Sequence, residues 1–261
     1  LGLPGRYELL ESDDEAVAAL WRPFQATVAA DAALRADYAS VAAEHGRAQT
    51  QKALAAALNR RTEFVLADEA GVVEASVPPF SALWPELADL AAPADALRGD
   101  AARQRWLAWA AELGRESGKT APKAADAVVD AWALDDAEAR LRVLRKAFFV
   151  ADEDRLTKHL QKFPAAQAAE AELQRLCQAT RQNAAWQHQQ RMARLTRCLL
   201  LEYGMLKRAR GWVDMNDIER AAQVLLADPV LSGWVQERLD ARIKHLLIDE
   251  FQDTNPLQWQ A

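Results

Sequence analysis

Residues 245–258 read HLLIDEFQDTNPLQ, and the change of pattern inside this stretch decides how the rest of the chain is interpreted. Residues 246–248 form a continuous apolar run, which is typical of a parallel strand buried on both faces. The run ends at two adjacent carboxylates, Asp249 and Glu250. Because open α/β sheets bind ligands at the carboxyl ends of their strands, this end is a candidate ligand site.

The two carboxylates cannot share one role, since successive strand residues point to opposite sides. One can hold Mg²⁺, directly or through water, while the other orients and deprotonates an attacking water molecule. The alternative is that Asp249 and Glu250 are a solvated strand end without chemistry. Asn255 and Pro256, as N-cap and first helical residue, predict a new helix after the strand.

The sequence before residue 240 is dominated by helical patterns. Abundant alanine, with Gly and Pro at only 10 each, favours helices over strands and turns. The longest pattern runs from Pro164 to Arg210 and predicts one or two long helices. Short strands are expected at Arg6–Leu10, Phe148–Val150 and Lys244–Ile248. The predicted fold class is therefore mainly α.

Two helix starts carry the pattern of a capping box. Ser12 with Glu15 predicts the first start, and Asn216 with Glu219 predicts the second. A further helix is expected at Pro229–Leu239. Residues 114–123, GRESGKTAPK, are typical of a linker between two helical patterns.

The chain is acidic overall, with a formal net charge of −6, but the charge is unevenly distributed. Between Arg140 and Arg210 stand 15 Lys and Arg against 6 Asp and Glu. An acidic total argues against a protein that coats nucleic acid, whereas a basic middle is compatible with one nucleic-acid-facing surface. No apolar run reaches the roughly 18 residues of a membrane span. Cys177 and Cys198 lack metal-binding or redox spacing and are expected to be buried thiols in a reducing cytoplasm.

The second half of the long helical pattern separates apolar from basic residues. One side carries Met192, Leu195, Leu199, Tyr203 and Leu206. The other side carries Arg191, Arg194, Arg197 and Arg208. The ordinary interpretation is a core stripe backed by a solvated face. If the chain binds DNA, the alternative is that Arg191, Arg194 and Arg197 contact phosphate groups.

Residues 249–255, DEFQDTN after an apolar strand, closely resemble motif II, the Walker B element, of UvrD/Rep-family superfamily 1 DNA helicases. The resemblance implies that Asp249 is the Mg²⁺ ligand of the ATP site. It also implies that Glu250 is the catalytic base for ATP hydrolysis and that Gln252 senses the nucleotide. Mg²⁺ and ATP are the expected cofactors.

A second stretch is similar to the DF-x-DL segment that lies shortly before motif II in this family. It consists of Tyr203 and Lys207 followed by residues 211–219, GWVDMNDIE, in which Met takes the place of the usual Phe. Asp214 and Asp217 in this stretch are expected to be helix caps and hydrogen-bond anchors rather than catalysts.

A third, weaker similarity, over residues 148–164, favours the AddA/RecB helicase–nuclease branch. In these helicases a mainly helical insertion, often called 1B, interrupts the first RecA-like domain and contacts duplex DNA. The resemblance implies that residues 1–240 are a 1B-type insertion. Residues 241–261 would then return to the P-loop RecA-like α/β core, domain 1A, with the terminal motif II strand.

The implied function is that of an ATP-dependent DNA helicase or translocase of double-strand-break repair, located in the cytoplasm. Its expected partners are duplex and single-stranded DNA and a second helicase–nuclease subunit, but no membrane. The chain is expected to be a fragment that is inactive alone. Residues 114–120, GRESGKT, do not supply the missing P-loop, because only three residues separate the glycines and a helical pattern precedes them. The alternative is a stand-alone helical interaction module with a fortuitous motif II-like end.

Overall fold

The computed structural model describes residues 7–243 and residue 245, and almost all of its regular structure is helical. Helices α1 to α6 are Asp14–Ala30, Ala32–His45, Arg47–Asn59, Arg61–Glu69, Val72–Ala75 and Phe80–Leu83. Helices α7 to α12 are Asp100–Leu113, Thr120–Trp132, Ala137–Phe148, Pro164–Arg210, Met215–Ala227 and Pro229–Asp240. The other elements are two 3₁₀ turns, Pro85–Leu87 and Pro93–Leu97, and two strands, β1 (Glu8–Leu9) and β2 (Trp212–Val213). The prediction of a mainly α fold is confirmed.

The chain divides into two compact units. The terminal unit comprises the described parts of Leu1–Ala67 and Arg194–Ala261, and the central unit comprises Asp68–Ala193. Helix α10 is one continuous element of 47 residues, as the sequence predicts, and contributes residues to both units. This division was not expected from the sequence. The predicted boundary at residue 240 stays a prediction, since the RecA-like strand expected after it lies outside the described residues.

A two-stranded parallel sheet joins distant parts of the chain in the terminal unit. Glu8 of β1 stands opposite Trp212 of β2, and the amides of Glu8 and Leu10 donate to the carbonyl groups of Gly211 and Val213 at 2.9 and 2.8 Å. Gly211 has a φ of 69°, a left-handed conformation that glycine adopts without strain. This residue therefore ends α10 and directs the chain into β2.

The core of the terminal unit is formed by apolar side chains of α1, α3 and the last part of α10. The largest fully buried members are Leu20, Phe24, Leu54, Leu58, Leu195, Leu199 and Tyr203. The predicted apolar stripe on α10 is therefore confirmed at three of its positions, while Met192 and Leu206 are half-buried.

The core of the central unit surrounds Trp106 of α7, which is fully buried. Its ring centroid lies 5.1, 5.9 and 5.8 Å from those of Trp109, Trp132 and Phe148. Helices α8, α9 and the first part of α10 add the buried side chains Val128, Leu144, Ala169 and Leu173. Aromatic side chains bury the largest areas in protein cores, so this cluster is the main apolar anchor of the unit.

Two charged side chains of the central unit, Glu172 and Arg140, are buried and hydrogen-bonded. Glu172 on α10 accepts two hydrogen bonds from Arg105, both at 2.8 Å, and one from the indole N–H of Trp106 at 3.1 Å. Arg140 on α9 donates to the carbonyl groups of Leu97, Ala131 and Leu134. The carbonyls of Ala131 and Leu134 lie in the last turn of α8 and just after it, so Arg140 connects α9 to the end of α8.

The predicted start of α1 is corrected by the structure. Helix α1 begins at Asp14 with Asp13 as its N-cap residue, and the predicted box between Ser12 and Glu15 is not formed. The hydroxyl of Ser12 accepts the N–H of Asp14 at 3.2 Å instead. The carboxylate of Asp13 does not cap its own helix because it binds Arg61 at 2.8 Å.

The predicted start of α11 also needs correction. The helix begins at Met215, and its capping box is formed by Asp214 and Asp217 rather than by Asn216 and Glu219. The physical reason is that β2 ends at Val213 and leaves the next residue in the extended conformation that an N-cap requires.

The predicted strands are found in shorter forms. Arg6–Leu10 contains β1, whereas Phe148–Val150 contributes a single antiparallel bridge between Phe149 and Leu156, because α9 continues up to the preceding residue. The strand expected at Lys244–Ile248 falls almost entirely on residues that are not described. Strand β2 was not predicted, since two residues are too few to show an alternating pattern. Among the described residues no helix could cross a membrane.

Candidate functional site

The residues predicted from motif II, namely Asp249, Glu250 and Gln252, lie outside the described residues. Their expected roles towards Mg²⁺ and ATP therefore stay predictions. The donor set itself suits the chemistry, because Mg²⁺ prefers carboxylate oxygen ligands and a neighbouring carboxylate can accept a proton from water.

The segment that resembles the DF-x-DL pattern forms a buried polar cluster in the terminal unit. Asp214 lies at its centre and is 1% exposed. Its Oδ2 atom accepts hydrogen bonds from the ammonium group of Lys207 at 2.6 Å and from the hydroxyl of Tyr203 at 3.1 Å. The same oxygen lies 3.0 Å from a guanidinium nitrogen of Arg61. One carboxylate thus connects α4, the end of α10 and the start of α11.

Asp217 completes the cluster through a reciprocal capping box. Its backbone N–H donates to Oδ1 of Asp214 at 3.0 Å, and its carboxylate accepts the N–H of Asp214 at 3.1 Å. The carboxylate of Asp217 also accepts a hydrogen bond from Lys207 at 2.5 Å. The expectation that Asp214 and Asp217 are caps and anchors rather than catalysts agrees with this geometry, since donors of the protein occupy both carboxylates.

The surroundings of Asp214 and Tyr203 keep these two side chains in fixed protonation states. Burial alone raises the pKa of Asp214, but the hydrogen bonds from Lys207 and the amide of Asp217, together with the charges of Lys207 and Arg61, lower it below its ordinary value. Burial, and then the negative charge of Asp214, raises the pKa of Tyr203 far above its ordinary range. Tyr203 is therefore a permanent donor and Asp214 a permanent acceptor at neutral pH.

Two members of the cluster come from the first quarter of the chain and were missed by the sequence reasoning. Arg61, the first residue of α4, binds Asp13 at 2.8 Å and Asp214 at 3.0 Å, and its guanidinium carbon lies 5.3 Å from the ring centroid of Tyr203. A buried carboxylate needs a cationic or hydrogen-bonding partner. That requirement indicates that a partner exists, but no local pattern says which of the 32 Lys and Arg residues it is.

An open cleft of about 370 Å³ lies beside the cluster in the terminal unit. Tyr7, Leu66, Trp212 and Asn216 line it together with Lys207. The ammonium group of Lys207 is already bound by two carboxylates, so it does not make the cleft an anion site. The cluster therefore serves to hold elements together rather than to perform chemistry on a ligand.

The three arginines predicted to face DNA differ in their surroundings. Arg194 is exposed, but its Nε and Nη2 atoms donate to the buried carboxylate of Asp37 at 2.7 and 2.8 Å. Arg191 is half-buried and donates to Gln187 at 3.3 Å, and Arg197 is half-buried as well. The ion pair weighs against a phosphate contact by Arg194, because Asp37 already balances its charge and occupies two of its five N–H donors. DNA contact by these residues stays a prediction.

The glycine-containing stretch at residues 114–120 is not a phosphate cradle. It leads from the end of α7 to the first residue of α8, whereas a P-loop connects a strand to a helix. The structure therefore agrees with the rejection of a P-loop at this place.

Comparison with known proteins relates the chain to DNA helicases. The family described as UvrD/REP helicase N-terminal domain matches residues 99–261. An ATP-dependent helicase/nuclease subunit from Desulfitobacterium hafniense, found in strains DSM 10664 / DCB-2 and Y51, is 37% identical over 67 residues. This match covers 26% of the present chain and only 5% of each relative. No solved structure matches the chain.

The family match covers more than half of the chain and includes two of the segments singled out in the sequence. One is the stretch from Tyr203 to Asp217, which builds the buried cluster. The other is residues 249–255, which resemble motif II. The chain therefore belongs to the UvrD/Rep family of superfamily 1 DNA helicases and is similar to helicase/nuclease subunits of the AddA type.

Proposed function

We propose that this chain is part of an ATP-dependent DNA helicase of the AddA-like branch, acting in double-strand-break repair in the cytoplasm. The observation that carries the proposal is the family match over residues 99–261, which includes the Asp-Glu pair at the end of an apolar run.

In the proposed reaction, the carboxylate of Asp249 would hold Mg²⁺, and the ion would neutralise charge at the ATP phosphates. Glu250 orients the attacking water and accepts its proton, since a carboxylate at hydrogen-bond distance can act as a general base. Gln252 contacts the nucleotide and reports its state to neighbouring motifs. The phosphate cradle has to come from another part of the helicase, because residues 114–120 lie between two helices.

The proposed partner is DNA, both duplex and single-stranded, with the basic stretch between Arg140 and Arg210 as the contacting part. Arg191, Arg194 and Arg197 are retained as proposed phosphate contacts, with the condition that the pair between Arg194 and Asp37 opens on binding. The similar proteins are named as helicase/nuclease subunits, which supports a further partner in the form of a second subunit.

The buried cluster has a supporting role in this proposal. Lys207, Asp214 and Asp217 fix the start of α11, and the chain reaches residue 249 only after α11 and α12. We assign the cluster the role of fixing the start of α11, the helix that precedes α12 and the motif II segment in the sequence.

The proposal is tested by replacing Glu250 with Gln in the complete helicase. The amide keeps the size of the side chain but cannot accept the proton of the water, so ATP binding is expected to persist while hydrolysis is abolished. Nucleotide binding is measured with a fluorescent ATP analogue and turnover by phosphate release. The matched control is Asp228→Asn, which changes an exposed carboxylate that caps α12 and leaves turnover unchanged. Near-normal turnover in the Glu250 variant would refute the proposed role.

A further inference from the structure

Four carboxylates are buried in the part of the chain that the structure describes, and three of them pair with a cation. The three pairs are Asp37 with Arg194, Glu172 with Arg105, and Asp214 with Lys207. The fourth carboxylate is that of Glu202 on α10, which is 9% exposed. It accepts a hydrogen bond from the hydroxyl of Thr27 at 2.6 Å, but no cation among the described residues pairs with it. Since a carboxylate withdrawn from water is normally matched by a cation, Glu202 lacks the kind of partner that the other three have.

Glu202 lines an open groove of about 530 Å³ in the terminal unit, which we name the Glu202 groove. The residues that define it here are Thr27, Asp31, Leu34, Leu201, Glu202 and Met205. Leu201 and Met205 stand four residues apart on the same face of α10, and they are 68% and 53% exposed. Covering apolar side chains of this size is favourable, so the groove suits a partner with an apolar surface.

The surroundings of the groove are electrostatically negative near Cys198, which also lines it. Burial, and then the negative charges of Glu202 and Asp31, raise the pKa of the Cys198 thiol. The carboxylate of Asp31 accepts the backbone amides of Ala33 and Leu34, which are neutral donors. These hydrogen bonds leave the charge of Asp31 in place, so two carboxylates contribute negative charge to the groove.

Two arginines also line the groove, but neither neutralises Glu202. Arg194 donates two hydrogen bonds to the carboxylate of Asp37. Arg197 is not free either, and among the described residues it forms no ion pair with Glu202. The groove therefore combines a carboxylate that lacks a cation with apolar side chains that lack a cover.

A lysine or arginine side chain of another protein meets both requirements. Its alkyl stem can lie on Leu201 and Met205 while its charged head reaches Glu202. The flexible thioether of Met205 can adapt to different apolar neighbours of that side chain. A small inorganic cation would leave the apolar residues uncovered, and a phosphate group would be repelled by the carboxylate.

We propose that the Glu202 groove docks a partner protein through a lysine or arginine that stands between apolar residues of the partner. The basic head pairs with Glu202, and the flanking apolar side chains cover Leu201 and Met205. Complementary charge fixes the orientation and the apolar contact supplies affinity. The inference goes beyond the proposed helicase function, because the occupant is neither nucleotide nor DNA.

The test begins with a library of random peptides displayed on phage, with the 261-residue chain as the target. The selected peptides are expected to share a lysine or arginine flanked by leucine, isoleucine, valine or methionine. The most enriched peptide, labelled with fluorescein, is then the probe in fluorescence anisotropy. Its affinity is expected to fall about tenfold or more in Glu202→Gln, because the amide cannot form the ion pair. Leu201→Ser combined with Met205→Ser should also weaken binding.

The matched controls change the same residue types elsewhere in the terminal unit. Glu63→Gln removes an exposed carboxylate of α4, and Val224→Ser combined with Val230→Ser removes two exposed apolar side chains. Both controls are expected to keep the affinity of the unaltered chain for the labelled peptide.

Stability separates a docking role of Glu202 from a structural one. Glutamine keeps an acceptor for the hydroxyl of Thr27, and Glu202 has no ion pair to lose among the described residues. The urea midpoint of Glu202→Gln should therefore equal or exceed that of the unaltered chain. Asp37→Asn, which breaks an existing pair with Arg194, should lower it.

Several results would overturn the proposal. They are the absence of enriched peptides, enrichment of peptides without a basic residue, equal losses of affinity in the controls, and a urea midpoint of Glu202→Gln as low as that of Asp37→Asn. Analytical ultracentrifugation of the unaltered chain tests a different occupant. Self-association that Leu201→Ser with Met205→Ser abolishes would place a second copy of this chain in the groove and refute a partner of another kind.

Discussion

The ammonium group of Lys207 lies 2.6 Å from Oδ2 of Asp214, and the two side chains are 8% and 1% exposed. The pair joins the last turn of α10 to the N-cap residue of α11. An ion pair removed from water to this degree is tolerated only when further hydrogen bonds satisfy both partners. Tyr203 and Asp217 provide those bonds here.

Replacing Asp214 with Ala is expected to lower the free energy of unfolding by about 3 to 5 kcal/mol, because it removes the buried carboxylate that pairs with Lys207 and Arg61 and leaves the buried hydroxyl of Tyr203 without its acceptor. Urea denaturation followed by circular dichroism measures the loss. The control is Asp228→Ala, which removes the exposed cap of α12 and should cost about 1 kcal/mol. Equal losses in the two variants would contradict the assignment of Asp214 as the centre of a buried cluster.

The free energy of unfolding should decrease as the pH is lowered, and part of this decrease should depend on Asp214. Its folded pKa lies below the ordinary value, so the folded protein binds this proton less readily than the unfolded chain. The stabilisation is therefore fully present above the unfolded pKa of about 4 and is lost as pH falls through the folded value.

Urea midpoints measured from neutral to acidic pH should show a shallower decline for Asp214→Asn than for the unaltered chain. Some decline will persist in this variant, because the hydrogen bond from Arg181 lowers the pKa of Asp154 as well. The double variant Asp154→Asn, Asp214→Asn should show the shallowest decline. If the urea midpoint declined identically with decreasing pH in all three proteins, neither carboxylate would contribute to the pH dependence of stability.

Glu172 offers a test of the central unit. Replacement with Ala removes the acceptor of the buried Trp106 indole N–H and the partner of Arg105, whereas replacement with Gln keeps an acceptor for the indole. The Ala variant is expected to be less stable than the Gln variant by about 1 to 3 kcal/mol, the cost of an unsatisfied buried donor. Unfolding in urea compares them, and equal stabilities would mean that the indole bond contributes nothing.

Replacing Asp249 with Asn in the complete helicase should weaken the binding of Mg-ATP, since the amide is a poorer Mg²⁺ ligand than a carboxylate. Titration with Mg²⁺ at fixed nucleotide concentration measures the change. The Glu250→Gln variant is the comparison, because it is expected to bind Mg-ATP normally. The 261-residue chain alone is expected to release no phosphate above background. An unchanged Mg²⁺ requirement in the Asp249 variant would contradict the assignment of this residue as a Mg²⁺ ligand.

The proposed DNA contact by α10 predicts two separable effects. Replacing Arg191, Arg194 and Arg197 with Ala in the complete helicase should weaken duplex binding and flatten the salt slope by up to about 3. Arg194→Ala alone should also lower stability, because it leaves the buried Asp37 unpaired. A stability loss without any change in the salt slope would show that these arginines are structural.

The sequence by itself determined those features that depend on short-range pattern. The 47-residue helix α10 follows from the helix-forming residues between Pro164 and Gly211, a stretch that contains no proline and a single glycine, Gly204. The helical fold class follows from the low content of glycine and proline. The family relationship can likewise be predicted from a few adjacent residues, because the residues of motif II follow one another directly in the sequence.

Only the tertiary structure decided which distant groups meet. Asp13, Arg61 and Asp214 form one ion-pair network although its ends lie far apart in the sequence, and no periodicity encodes that meeting. The same network explains why Asp13 does not cap α1 with its side chain, since its carboxylate binds Arg61 instead. The ion pair between Arg194 and Asp37 could not be predicted from the sequence for the same reason. A charged side chain chooses its partner by proximity and burial in the folded state, and local propensity carries no information about either.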